Sequence, residues 1–277
     1  MDTTHNRIIG LITDFGSKGS HYIAAMKAVI IGINPKARII DIHHQISPYS
    51  IIETSFIIKT IYMLFPQNSI FVIVVDPGVG SSRKILAIKT NSNHYFIGPD
   101  NGIFWLAFNR NEIIKCIHIQ NENYYHMPVS NTFHGRDIMA PVGAYVSKNI
   151  PLNKFGPKFN PKNLYPYPIT YKISPKDKTV DCTIQYIDNF GNLVTNIPIM
   201  NDQIKDTDFK LQEGSPLTMQ INENEYKGII QSHYRATDSN ELIFLKGSSD
   251  YLEISMNQGN AAVKLNLDIG DIIRFKF

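Results

Sequence analysis

The amino-acid sequence predicts an α/β protein: an N-terminal α/β/α layered domain with a mainly parallel sheet, followed by a smaller all-β domain. Three observations predict it. Through the first half, strand-like apolar runs alternate with stretches of helical period. Residues 153–175, rich in Pro, Lys, Asn and Tyr, have no period and read as a linker. Beyond them come only short strands separated by turn residues, the pattern of a barrel or sandwich. The expected divisions are 1–155 for the first domain, 156–175 for the linker and 176–277 for the second domain.

The elements follow in order. Arg7–Thr13 reads as a strand and Ser20–Ile33 as a helix with apolar residues at helical spacing. Ala37–His43 is strand-like, and Ile51–Phe65 helical with Pro66 as its stop. Ser69–Asp76 is a continuous apolar run, the mark of a strand buried on both faces. Ile85–Thr90 and His94–Ile97 flank an Asn-Ser-Asn turn, and Ile103–Phe108 and Ile113–Ile119 continue the alternation. A last helix is expected from near Asp137 to about Lys148. The second domain offers strands at Thr179–Ile187, Leu193–Ile197, Leu217–Ile221, Glu225–Ile230, Glu241–Leu245, Tyr251–Ser255 and Asp271–Phe277.

Composition narrows the function class. A net charge of +3 over 277 residues, with no basic cluster, argues against nucleic acid or a membrane surface as partner. The apolar helix Tyr22–Ile33 is short and interrupted by Lys27, so no membrane span is expected. Cys116 and Cys182 lie far apart and read as reduced, buried thiols of a cytoplasmic protein. The polar start runs straight into a strand, which gives no signal-peptide pattern.

Chemistry-bearing residues gather where strands end. The run Ile70–Val75 stops on Asp76, then Pro-Gly-Val-Gly-Ser-Ser leads to Arg83. The carboxyl edge of such a sheet is where ligands bind. A carboxylate at a core edge needs partners. The turn returns Arg83 toward Asp76, so the two could hold one small polar species, or form an ion pair that merely shapes the turn. Asp14 closes the first strand and precedes a Gly/Ser loop. It could accept both hydroxyls of a ribose, or serve as an Asx-turn or helix cap, and the motif alone does not separate these. His134 stands in Asn-Thr-Phe-His-Gly-Arg-Asp before the last helix of the first domain. A lone loop histidine is more often structural, but its place at the sheet edge of Asp14 and Asp76 favours function. Arg136-Asp137 reads as a capping ion pair, and Gly98–Gly102 as a tight turn. His43-His44 after Asp41 lack an acidic partner at metal spacing, so a core or supporting role is favoured over metal binding. No G-x-G-x-x-G or P-loop pattern is present. In the second domain, Asp188 through Asn196 is a good hairpin whose Asp188 could also bind an ammonium, with Asn192 offering a donor and an acceptor. Ser248 through Ala262 places a carboxylate and an amide beside a strand-to-helix junction, locally best read as a cap.

Taken together these segments resemble the adenosine-forming S-adenosyl-L-methionine (SAM) hydrolases, or SAM hydroxide adenosyltransferases, relatives of the SAM-dependent fluorinase and chlorinase. The residues that carry the resemblance are Ile12–Gly16, Val75–Gly80 with Arg83, Gly98–Gly102, Thr132–Asp137, Asp188–Asn196, and Leu252–Ile254 through Gly259–Ala262, in family order. The resemblance implies an N-terminal α/β domain plus a smaller C-terminal all-β barrel. It also implies a homotrimer with active sites between subunits. Its water-activating triad would fall on Asp76, Arg83 and His134. Asp14 would bind the ribose, and Phe133 would pack near the reacting carbon. Asp188 and Asn192 would hold the methionine or sugar end, Tyr234 would pack on the adenine, and Ser248, Glu253 and the Met256 backbone would complete the pocket. Asp250 stands where the family pattern leads one to expect glycine.

The function so implied is hydrolysis of SAM to adenosine and methionine by in-line attack of water on C5′, with SAM as substrate and neither metal nor redox cofactor. Two alternatives stand beside it. A SAM-dependent halide adenosyltransferase on the same scaffold ranks lower, because the short Gly80–Arg83 turn and His134 match the water-activating pattern. A nucleoside- or SAM-binding protein without turnover is the other. A metal-dependent phosphoesterase is a distant third.

Overall fold

The computed structural model describes residues 7–234 and 241–277; the polar start, residues 1–6, lies outside them. The chain divides into two compact units, Met1–Tyr167 and Pro168–Phe277.

The first unit carries β1 (Ile8–Thr13), α1 (Ser20–Ile33), β2 (Arg38–His43), α2 (Ile51–Ile61), β3 (Ile70–Val74), β4 (Ile85–Thr90), β5 (Tyr95–Pro99), α3 (Ile103–Ala107), β6 (Ile113–His118) and α4 (Ala140–Ser147). Its six-stranded sheet has the order β2-β1-β3-β5-β4-β6. The first four of these are mutually parallel, while β4 runs antiparallel to both neighbours. Alternation across the pleat sorts the core into two layers. On one face Ile70, Val72 and Val74 of β3 pack with Met26 and Ile30 of α1 and Val142 and Val146 of α4. On the other, Phe71 stacks on Phe96 at 5.0 Å, and Phe96 meets Phe108 beside α3 at 4.6 Å. Each buried aromatic or branched side chain contributes about 1.5–3 kcal/mol by leaving water. α2 begins at Ser50, whose hydroxyl accepts from the Glu53 amide, and ends at Ile61, short of the expected Phe65, in a 3-10 turn over Tyr62–Leu64.

The second unit carries β7 (Tyr171–Ser174), β8 (Thr179–Ile187), β9 (Leu193–Met200), β10 (Gln203–Ile204), β11 (Pro216–Ile221), β12 (Asn224–Ile230), β13 (Leu242–Lys246), β14 (Tyr251–Met256), α5 (Ala261–Leu265) and β15 (Ile272–Lys276). The order β9-β14-β13-β12-β11-β15-β8, with β8 pairing back to β9, closes a seven-stranded barrel. Closure leaves no exposed sheet edge among those seven strands. Phe244, Phe275, Ile254 and Leu252 fill its interior. β7 lies within the aperiodic stretch 156–175. Its four residues are half-exposed and pair only with β8, so their alternation was too short to stand out. Cys116 and Cys182 are both buried free thiols. Among the described residues no helix is long and apolar enough to cross a membrane.

Candidate active site

The register Thr13↔Val74 sets the ends of β1 and β3 side by side, so Asp14 and Asp76 emerge at the same edge. From Asp76 the chain crosses the end of β5 and enters β4, which places Arg83 at that edge too. The antiparallel direction of β4 makes this possible in a short turn, where a parallel strand would need a helical crossover. The clasp that forms is bidentate. Arg83 Nε donates to Asp76 Oδ1 at 2.8 Å and Nη2 donates to Asp76 Oδ2. Both side chains are nearly buried, 10% and 5% exposed.

His134 completes the cluster. Arg83 Nη2 lies 2.8 Å from His134 Nδ1. A guanidinium can only donate, so Nδ1 accepts, and the neutral ring carries its proton on Nε2. Burial and the neighbouring Arg83 charge lower the His134 pKa from its ordinary value, against a smaller opposing pull from Asp76 and Asp137. His134 thus presents an N–H donor from a neutral ring. Its approach to β3 requires glycine next in the chain, because a Cβ on Gly135 would sit 2.7 Å from Val74 Cγ1. Gly135–Met139 then winds as a π turn into α4, a local widening often found at functional sites. Asp137, fully buried, takes Arg136 Nε at 2.6 Å and the Ser130 amide at 2.8 Å, which anchors the loop carrying Phe133 and His134.

The loop after β5, read from sequence as only a tight turn, grips both ends of the clasp. Asn101 Nδ2 donates to the Val75 carbonyl at 2.9 Å, and the Asp100 amide donates to the Lys84 carbonyl at 2.8 Å. Gly80, at φ 78°, would bring a Cβ within 2.4 Å of the Asn131 carbonyl, so the turn lies directly on the loop that leads to His134.

Asp14 is half-buried. Burial, first, and the charge of Asp76 raise its pKa, while hydrogen bonds from the Tyr49 amide and its own amide pull it down. The Tyr49 amide donates to Asp14 Oδ2 at 3.0 Å. Phe15, Tyr22 and Phe133 form an aromatic wall beside it, with ring centroids 5.2–5.8 Å apart. Tyr49 itself was not singled out from sequence; it is exposed and held at φ 67°. The Ser-x-x-Glu capping pattern right after it was the one available signal. Five sequence-derived candidates, Asp14, Asp76, Arg83, Phe133 and His134, therefore share one edge of the first unit.

In the second unit Asp188 is largely occupied by its own hairpin. Its Oδ1 accepts the amides of Phe190 and Asn192, each at 2.9 Å, and Oδ2 accepts Asn192 Nδ2 at 2.8 Å. Glu253, on β14 and buried, accepts Tyr234 Oη at 2.7 Å and Ser255 Oγ at 2.9 Å. Burial raises the Glu253 pKa, those two hydrogen bonds lower it, and Asp188 adds to the rise. Burial and the Glu253 contact also push the Tyr234 phenol up. A concavity of about 560 Å³ opens here, lined by Asn192, Tyr234 and Met256 together with Phe190, Gln258, Gly259 and Asn260. Ser248 stands exposed on the β13–β14 turn. Asp250 in that turn has φ 63°, which accounts for the expectation of glycine there, and Lys246 Nζ pairs with it at 2.8 Å.

Elsewhere, His44 meets Asp41 and Thr13, and among the described residues no group of three or more His, Cys, Asp or Glu is placed to hold a metal ion.

Comparison with known proteins agrees with this architecture. Residues 9–156 match the family described as the SAM hydroxide adenosyltransferase N-terminal domain, and residues 182–274 match its C-terminal domain. A curated relative from Methanocaldococcus jannaschii, named (R)-S-adenosyl-L-methionine hydrolase, is 36% identical over 96% of this chain and 94% of its own. A fluorinase from an Actinoplanes species is 23% identical over 71% of this chain and 74% of its own. A crystal structure of an uncharacterized conserved protein from Thermotoga maritima superposes with a TM-score of 0.86, 32% identity, and coverage of 97% of this chain and 100% of that one.

Proposed function

The chain belongs to the SAM hydroxide adenosyltransferase family, and from that premise we propose that it hydrolyses SAM to adenosine and L-methionine. The observation that carries this reading is the Asp76–Arg83–His134 cluster, a carboxylate, a guanidinium and a neutral imidazole joined in one network at the sheet edge. Its chemistry suits water, not a phosphate or a metal. The sulfonium is already a good leaving group and a cation, so neither an acid nor a cofactor is needed to activate it.

The step balances as follows. The water oxygen attacks C5′ as the C5′–S bond breaks, and the electron pair of that bond stays on sulfur as a neutral thioether. Asp76 accepts a hydrogen bond from the water before attack. The oxygen becomes strongly acidic as its bond to carbon forms, and its proton passes to Asp76 and then to solvent. Arg83 holds the carboxylate, and His134 Nε2–H orients the oxygen lone pair. Positioned acid–base help is worth about 10²–10⁴-fold, and in-line alignment removes up to about 7–11 kcal/mol of barrier. Charge separation falls as the reaction proceeds, so a dry pocket walled by Phe15 and Phe133 favours the transition state.

Asp14 is assigned to the ribose hydroxyls and Phe133 to the space beside C5′. Asp188 and Asn192 take the methionine or sugar end, Tyr234 packs on adenine, and Ser248, Glu253 and Met256 close the nucleoside pocket. These assignments go with a homotrimer whose active sites each combine residues of two subunits. Buried reduced thiols fit a cytoplasmic setting. The (R) in the relative's name makes the R-sulfonium epimer the expected substrate.

The test is to incubate the purified protein with each SAM epimer in oxygen-18 water, with and without chloride. The expected products are methionine and adenosine labelled once at the 5′ oxygen. A chloride-dependent halonucleoside would move the assignment to halide transfer. Tight adenosine binding with no methionine release would make the protein a binder without turnover.

A further inference from the structure

The proposed ribose carboxylate sits on a turn that is held from one residue outside it. His44, just past β2, touches this turn twice. Its ring Nδ1 lies 3.0 Å from Thr13 Oγ1, and its carbonyl accepts the Gly16 amide at 2.7 Å. Thr13 and Gly16 bracket Asp14. Gly16 has φ 65° and ψ −176°, a conformation that essentially only glycine adopts and that persists where surroundings impose it.

The ring is itself aimed. His44 Nε2 lies 3.0 Å from Asp41 Oδ1, and Asp41 Oδ2 takes Lys27 Nζ of α1 at 2.5 Å. A carboxylate only accepts, so Nε2 carries a proton, and in the neutral ring Nδ1 accepts from the Thr13 hydroxyl. That leaves Thr13 Oγ1 free to accept the Phe15 amide, 3.4 Å away. The hydroxyl of Thr13, a completely buried residue, thereby both donates and accepts. The loop leaving His44 is also pinned, since Glu53 Oε2 accepts the Ser47 amide at 2.9 Å, and it delivers the Tyr49 amide to Asp14 Oδ2.

We infer that His44 is a positioning residue for the nucleoside. By holding Thr13 with its ring and Gly16 with its carbonyl, it sets the direction in which Asp14 meets the ribose hydroxyls, and Asp41 and Lys27 hold its ring for that task. The inference rests on the proposed function, so its test separates the two. Adenosine and 2′,3′-dideoxyadenosine binding are measured by calorimetry on wild type, His44→Ala, His44→Asn, Asp41→Asn and Asp14→Ala, beside kcat and KM for SAM and the melting temperature.

His44→Ala is expected to weaken adenosine roughly tenfold or more and to raise KM in step, with kcat within about threefold. The dideoxy analogue should bind wild type and variant alike. His44→Asn, which can still accept from Thr13, and Asp41→Asn, which can still accept from His44, should recover most of the loss. His44→Ala added to Asp14→Ala should cost nothing further. Equal losses for both nucleosides, or a fall in kcat and melting temperature at unchanged KM, would overturn the inference and leave His44 a packing residue. A wild-type protein that neither binds adenosine nor cleaves SAM would overturn the functional reading and this inference with it.

Discussion

Replacing Arg83 with Met tests the clasp most directly, because it keeps volume while removing the charge and every donor. Asp76 and Arg83 are 5% and 10% exposed and joined by two hydrogen bonds, so the loss strands a carboxylate in a nearly dry site. Removing one partner of a buried pair costs about 3–5 kcal/mol. For a unit ending at Tyr167, at roughly 2–4 °C per kcal/mol, the melting temperature should fall by about 6–20 °C. Calorimetric scans, beside adenosine release by chromatography, read stability and turnover together. Turnover should drop about 10²–10⁴-fold, and Arg83→Lys should recover little of it, since an ammonium cannot bridge both Asp76 oxygens and His134. An unchanged melting temperature, or turnover near wild type, would refute the reasoning.

Two further outcomes follow from the same geometry. The His134 pKa is lowered, so the neutral ring persists to lower pH than for an ordinary histidine, and the acid limb of kcat should have its midpoint below the usual value of 6.5. Arg83→Met removes one cause of the lowering and should move that midpoint up; a limb at or above 6.5 in wild type would contradict the lowered pKa. Glu253 has a raised pKa, so the folded second unit holds that proton longer than the unfolded chain and loses stability as pH rises above 4.5. Glu253→Gln should flatten this slope in denaturant titrations between pH 4.5 and 7, and an unchanged slope would show that the carboxyl stays as readily ionised folded as unfolded.

Much of the first unit was legible because its signals are local. Strand ends at Asp14 and Asp76 follow from where apolar runs stop, and Arg83 is only seven residues from its partner. Asp188 and Asn192 form a turn readable within five residues. What sequence hid was either too short or too distant. β10 is too brief to show a period, and nothing local marks the π turn after His134 as distinct from the helix it leads into. The contact of His44 with Thr13 spans 31 residues, that of Tyr49 with Asp14 spans 35, and that of Tyr234 with Glu253 spans 19. No local pattern announces such meetings. The Asn-Ser-Asn turn marked β4 and β5 as neighbours, but the place of β4 between β5 and β6, which brings Arg83 to the edge of Asp76, was not legible.

The grip of the β5 loop on Val75 and Lys84 makes the segment between them a span clamped at both supports. Such a span transmits changes of length, and not of its outward side chains, to what it carries. Ser82 is exposed on this span, whereas one inserted residue would part Asp76 from Arg83 without altering either. The length of this crossing, more than the identity of its exposed residues, is therefore what keeps Asp76 and Arg83 within reach of one another.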